Sequence, residues 1–457
     1  MFGSPMFNQK KEQKKMKKFW NLMLAALVIF GAVACTENQE ENVQQEAGVS
    51  FYAKFADDTR AVIEKDGDVW NTKWENGDVL TVTCGANSFA FIYDGEKFSC
   101  NASGVNSILN NEVTISGERG DSTSGNKALS IEPVDVQFTA DMTVTLKSNI
   151  SFFRFVYTGA SEVTLTLDQE AFKKGATTSK TITLSGNANE QFVAIYPTAE
   201  SATLTFSLDG VKCKEANLTL VGGKVYNLGE RTEKVVLLKS NVWYTGENKE
   251  WFAAHFWNSS SSKDVPLDKV SDDLYGCVVP EGMTNVIFCR MNPSSKTFAW
   301  NSGKSGETRP MWNRTYEFVV AAAPNNCHYI SGWGNGAHED NAELCPSLWC
   351  NKAIDKQNVN SWGIVGSING WEPYNRFRMQ KTNETNVLVA YSIYIKANDG
   401  FKFINKDSWG GDTGGNGTVK IDTWNTSGSS DIKIGVEGVY DIYFNTSTKK
   451  YKYEASK

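Results

Sequence analysis

From residue 49 onward, apolar and polar residues alternate one by one. Clear examples are Asp78-Val79-Leu80-Thr81-Val82-Thr83, the run Glu162 to Asp168, and the run Ala202 to Leu208. A period of two sends successive side chains to opposite faces of an extended strand, one toward a core and one toward water. Turn formers part these runs: Asp209-Gly210, Gly222-Gly223, Asp399-Gly400 and Gly410-Gly411. No stretch carries a sustained helical period. The expected fold is all-β, a row of immunoglobulin-like β-sandwiches rather than an α/β unit.

Two polar breaks divide the row. One is Gly229-Glu230-Arg231-Thr232-Glu233-Lys234, and the other runs from Gly334 to Ala342. They set off segments 49–228, 235–333 and 346–457. The first is long enough for two sandwiches, parting near residue 140.

The N-terminus reads differently. Six lysines lie between Lys10 and Lys18, followed by an apolar run from Leu22 to Ala34 that closes on Ala32-Val33-Ala34-Cys35. A basic stretch, a short apolar stretch and small residues before the cut form a secretory signal. The run falls short of the ~20 residues that span a bilayer. Residues 1–34 are read as a signal peptide. The polar residues 35–48 are read as a flexible tether. With the leader gone, the 46 basic and 52 acidic residues lose six and one, which leaves a net charge of −11. No basic run survives, so nucleic acid is not an expected partner. No Cys or His spacing suits a metal, and no cofactor is expected. A disulfide is permitted outside the cytoplasm; Cys345 and Cys350 could close a small loop, and Cys277, Cys289 and Cys327 share a segment. Free buried thiols are the alternative.

Tryptophan is uneven: eleven of fourteen lie between Trp243 and Trp424. Some anchor cores, but two domains of this size do not need eleven for that. Flat indoles match the apolar C–H faces of sugar rings, which suggests carbohydrate binding.

Several segments resemble known families. The small residues before Cys35 resemble the lipobox of bacterial lipoproteins, which implies cleavage and lipidation at Cys35. The acidic stretch Thr36 to Asn42 is similar to the signal that sends lipoproteins of Bacteroidota to the outer surface. Thr59-Arg60-Ala61, Trp74-Glu75-Asn76-Gly77-Asp78 and Gly223-Lys224-Val225-Tyr226-Asn227-Leu228 resemble fimbrillin-like domains, implying a structural or display role for 49–228. Trp243-Tyr244, the run Trp251 to Trp257, Val279-Pro280-Glu281-Gly282 and Asn285-Val286-Ile287-Phe288 resemble a starch-binding module of the family numbered 26. That resemblance implies a sugar platform of Trp243, Tyr244 and Trp251, with His255 as a hydrogen-bonding partner. Phe252 and Phe256 are read as core. Trp362 to Trp371, Asp399-Gly400-Phe401-Lys402-Phe403, Trp409-Gly410-Gly411 and Gly438 to Phe444 resemble the repeated domains of the SusE/SusF-type starch-binding lipoproteins.

In that last segment Trp371 follows Asn369-Gly370, a turn pair, and Trp409 sits in a polar loop. Trp371 and Trp409 are therefore the expected platform, with Lys402, Asn405 and Asp407 as polar partners and Trp362 in the core. The resulting expectation is a lipid-anchored outer-membrane protein that binds starch-like α-glucan, beside outer-membrane glycan-uptake proteins. The alternative is a structural or adhesive surface protein with degenerate sugar modules. An enzyme is not expected. Glycoside hydrolysis needs two carboxylates held about 5–9.5 Å apart, and no segment reaches the ~250 residues of a hydrolase barrel.

Overall fold

A computed structural model of the chain describes residues 48–456, apart from 56–62, 67–68, 73, 187–189, 244–248, 303, 305, 335–341 and 416–418. The signal peptide, Cys35 and most of the tether fall outside the described residues, as do Thr59-Arg60-Ala61. Among the described residues the architecture is all-β, with only short 3-10 turns between strands. None of the helices there is long and apolar enough to cross a membrane.

The first layer is a seven-stranded sheet that includes Val49–Phe55, Val79–Cys84, Glu112–Arg119 and Thr143–Leu146. It curls until its edges meet: Glu132 N–H donates to Lys147 O at 2.9 Å. Phe51, Phe91, Phe98 and Phe138 fill its interior. Next comes a sandwich of a three-stranded and a four-stranded sheet. Here the alternation of Val163–Leu167 and Ser201–Leu208 turns Val163, Leu165, Leu204 and Phe206 inward.

The following five-stranded sheet is buried on both faces. It contains Val235–Lys239, Leu274–Val278, Cys327–Ile330 and Ser347–Cys350. Val235, Leu237, Cys327, Tyr329, Leu348 and Cys350 turn toward the preceding sandwich and join its core. Val236, Leu238, Ile330 and Trp349 turn the other way, onto a six-stranded sheet built around Trp251–Trp257 and Asn285–Met291. A strand that is covered on both sides reads as an unbroken apolar run, and Val235-Val236-Leu237-Leu238 is one. Asp209 reinforces the join. Only 6% exposed, it accepts from Asn326 Nδ2 at 3.2 Å and Lys352 Nζ at 3.1 Å.

The C-terminal segment forms a seven-stranded sheet with Val359–Gly366, Phe377–Lys381, Val387–Ile395, Gly400–Ile404 and Gly438–Asn445. Its core is continuous with that of the segment before it, through Phe318 and Phe377, whose rings lie 4.8 Å apart.

The eight described cysteines are free thiols. Cys345 belongs to one core and Cys350 to the other, on opposite faces of the doubly buried sheet, so the small loop between them is not bridged.

Candidate carbohydrate-binding surface

Strand Val359–Gly366 ends in the 3-10 turn Ser367–Asn369. Asn369, 2% exposed, organises the loop beyond it. Its Oδ1 accepts from Gly366 N–H at 2.9 Å, and its Nδ2 donates to Glu372 O at 3.0 Å and Asn375 O at 3.2 Å. The chain then passes through two left-handed residues, Gly370 at φ 62° and Trp371 at φ 63°. The second is uncommon for a bulky side chain. A bond from Trp371 N–H to Gly366 O, 2.8 Å, closes the turn.

The loop after strand Gly400–Ile404 carries the second indole. Asp407 in this loop accepts from Arg376 Nη1 at 2.7 Å and lies 3.7 Å from Arg378 Nη2. Lys402 Nζ donates to Asp412 Oδ2 at 3.0 Å, at the loop's far end. These ion pairs dock the loop beside Trp371. The Trp371 and Trp409 rings are 6.1 Å apart at 34°, and Trp409 is 49% exposed. Arg376 is nearly sealed from solvent, with 2% of its side chain exposed. Its Nε and Nη1 also bind the carbonyls of Ser361 and Pro373. Burial, and then the neighbouring charge of Arg376, push the Arg378 pKa down to about 10.

Lys402 and Asp407 therefore have partners already and act first as anchors of the platform. Asp407 still leaves 60% of its side chain to solvent and faces the same loop as Trp409. Asn405 is half-buried between them in sequence. Trp362 is 8% exposed and packs on Phe444 at 4.8 Å.

The middle segment is arranged otherwise. Trp243 is wholly buried, stacks on Phe252 at 6.3 Å, and donates its indole N–H to Cys345 Sγ at 3.1 Å. An indole without exposed surface cannot meet a sugar ring, so Trp243 belongs to the core and leaves the candidate site. Tyr244 lies outside the described residues. Along Trp251–Trp257, Phe252, Ala254 and Phe256 point inward, and the alternation puts Trp251, His255 and Trp257 on the opposite face. Trp251 donates its N–H to Ser295 O at 2.7 Å. His255 pairs with Asp264 at 2.6 Å and stands among Trp257, Phe298 and Trp300, 5.0–5.7 Å away. Trp251 and His255 thus share a face, on which His255 is packed against Phe298 and Trp300.

Sequence reasoning missed Arg376, Arg378, Trp312 and Trp333. Trp333 is 44% exposed. Its signal was in plain view as a tryptophan between glycines, Gly332-Trp333-Gly334, at the edge of a polar stretch. Among the described residues no cluster of His, Cys, Asp and Glu could hold a metal ion.

No family model matches the chain, and a search of curated proteins finds no match. Among solved structures, the chain is similar to a DUF3823 family protein from Bacteroides ovatus ATCC 8483, at 11% identity over 38% of this chain and 99% of that one, with a TM-score of 0.16. A leucine-rich repeat protein from Bacteroides thetaiotaomicron VPI-5482 aligns at 14% identity over 39% of this chain and 25% of its own length, with a TM-score of 0.18. SusF from Bacteroides thetaiotaomicron aligns at 13% identity over 68% of this chain and 77% of its own, with a TM-score of 0.17. At these TM-scores the chains do not superpose as wholes, and the function must be argued from the site itself.

Proposed function

We propose that this chain is a surface lipoprotein that binds polysaccharide, α-glucan first among candidates, by stacking sugar rings on Trp371 and Trp409. The observation that carries the reading is the indole pair itself: two rings 6.1 Å apart, one of them half in water, with the Trp409 loop pinned through Asp407 to the buried Arg376 guanidinium. Exposing an indole forgoes the stabilisation that burial would give, about 25 cal/mol per Å² of apolar surface. Here the exposed ring is held in place rather than left loose, which suits a ligand site on a rigid scaffold. Asp407 and Asn405 stand at the rim to accept from and donate to hydroxyls.

The test is binding of the mature chain to soluble starch and to maltoheptaose by calorimetry. Trp371→Ala and Trp409→Ala should each weaken binding at least tenfold, about 1.4 kcal/mol, with the melting temperature little changed for Trp409→Ala. If both variants bind as wild type does, the platform is elsewhere. If the wild-type chain binds no glycan on an array, the structural or adhesive reading takes its place.

A further inference from the structure

We propose that the binding surface does not end at Trp371 and Trp409 but continues across the module junction onto Trp333, so that it takes a run of rings from one polymer rather than a short oligosaccharide. The inference rests on the glycan reading and concerns the length of ligand that the surface accepts.

Trp333 follows the doubly buried strand Cys327–Ile330 and keeps 44% of its surface in water. Its ring is not loose. The Arg290 guanidinium lies 5.3 Å from the Trp333 ring and 4.7 Å from that of Trp312, within cation–π reach of both. Arg290 is 6% exposed. Glu250, whose side chain is fully buried, balances it at 3.7 Å. Asn313 Oδ1 accepts from Arg290 Nη1 at 3.3 Å, and Asn313 Nδ2 donates to Glu343 Oε2 at 2.9 Å. A buried ion pair is seldom the most stabilising way to fill space; apolar residues of the same volume often do as well or better. What it supplies here is a fixed, flat ring with an open face.

Two tyrosines connect this ring to the platform. Tyr374, three residues beyond Trp371 in the same loop, donates its hydroxyl to Trp333 O at 3.3 Å. Tyr316 donates to Asn369 O, at the start of that loop, at 3.4 Å. The loop that carries Trp371 is thus tied to both the backbone of Trp333 and the chain just beyond strand Met311–Arg314, which carries Trp312. Because the two modules share one core, these ties across their junction do not depend on a ligand. Rings held in advance at several points gain from effective concentration: once a polymer is held at one, its next units are already near the other.

The experiment measures affinity of the full mature chain for maltotriose and for soluble starch. Trp333→Ala should lower affinity for soluble starch about tenfold and leave that for maltotriose unchanged, whereas Trp371→Ala should weaken both. Trp333→Leu keeps an apolar cover over Arg290 without a flat ring. It should behave as Trp333→Ala does, with the wild-type melting temperature, which separates loss of stacking from loss of fold. Wild-type starch binding in both Trp333 variants overturns the extension and leaves the platform reading intact, as does equal loss for short and long ligands. A wild-type chain that binds neither ligand overturns both.

Discussion

His328 sits within the largest core, and among the described residues neither of its ring nitrogens has a hydrogen-bond partner. Its neighbours are Phe288, Phe318 and Trp349, with ring centroids 4.5–5.0 Å away. Burial among rings holds its pKa down to about 3, against 6.5 for a free imidazole. The folded chain keeps the ring neutral, while the unfolded chain takes up a proton below about pH 6.5. The stability that depends on neutrality is therefore whole above 6.5 and is lost as pH falls toward 3, at about 1.4 kcal/mol per unit. Urea titrations at pH 7.5 and 4.5 should show His328→Leu gaining roughly 2–3 kcal/mol on wild type between the two. An equal difference at both pH values would mean that the ring is solvated. At this scale the sequence was partly legible. That Trp371 and Trp409 lie in loops could be read, because polar and glycine-rich neighbours mark such places. Trp243 could not, because an aromatic pair such as Trp243-Tyr244 looks alike on a platform and in a core. Arg376 and Arg378 were hidden because ion pairs to a loop thirty residues on leave no spacing in the chain.

The loop from Gly366 to Arg376 shows how one element shapes the candidate site. A Cβ on Gly366 would fall 2.3 Å from Gly400 O, so only glycine lets the strand and its partner approach there. Further on, Trp371 at φ 63° carries a side chain where glycine is normally preferred. The left-handed region costs a non-glycine residue roughly 1–2 kcal/mol. Replacement of Trp371 by Gly should therefore give a more stable chain than replacement by Ala, by about 1 kcal/mol in urea denaturation. Elsewhere glycine is the more destabilising choice, so the reverse order would show that Trp371 is not held at positive φ. Both variants should lose glycan affinity alike. Strand Gly400–Ile404 follows its alternation: Phe401 and Phe403 lie inside and Lys402 outside. The turn was not legible in the same way. Its shape comes from three hydrogen bonds of the buried Asn369 side chain, and no local pattern announces those.

Across the whole molecule, period-two patterning was enough to show a β architecture. What it did not show is the extent to which the sandwiches are fused. Sheet Val235–Lys239, Leu274–Val278, Cys327–Ile330 and Ser347–Cys350 belongs to two cores at once. The charged residues before it suggest a linker, yet strand Val225–Arg231 runs on through Gly229 to pair Arg231 with Tyr157. The run Val235-Val236-Leu237-Leu238 has lost its alternation because both faces are covered. A fragment of residues 235–457 would expose Val235, Leu237, Tyr329 and Leu348, a contiguous apolar face of the kind that drives aggregation. That fragment should be insoluble or dimeric in size-exclusion chromatography, whereas residues 148–457 should be monomeric and unfold in one transition. A monodisperse, cooperatively folded 235–457 would show that the shared face is dispensable.

The doubly covered sheet also bears on how such a chain can be inherited. A sandwich that closes its own core can be exchanged between genes at its linkers, one unit at a time. A sheet whose two sides finish the interiors of two neighbours has no such seam: a new module spliced in at residue 235 would meet a surface shaped for Leu237 and Tyr329. Recombination could carry this region forward only as a block with the sandwich before it, and substitutions on the two sides of that sheet would have to be matched in pairs.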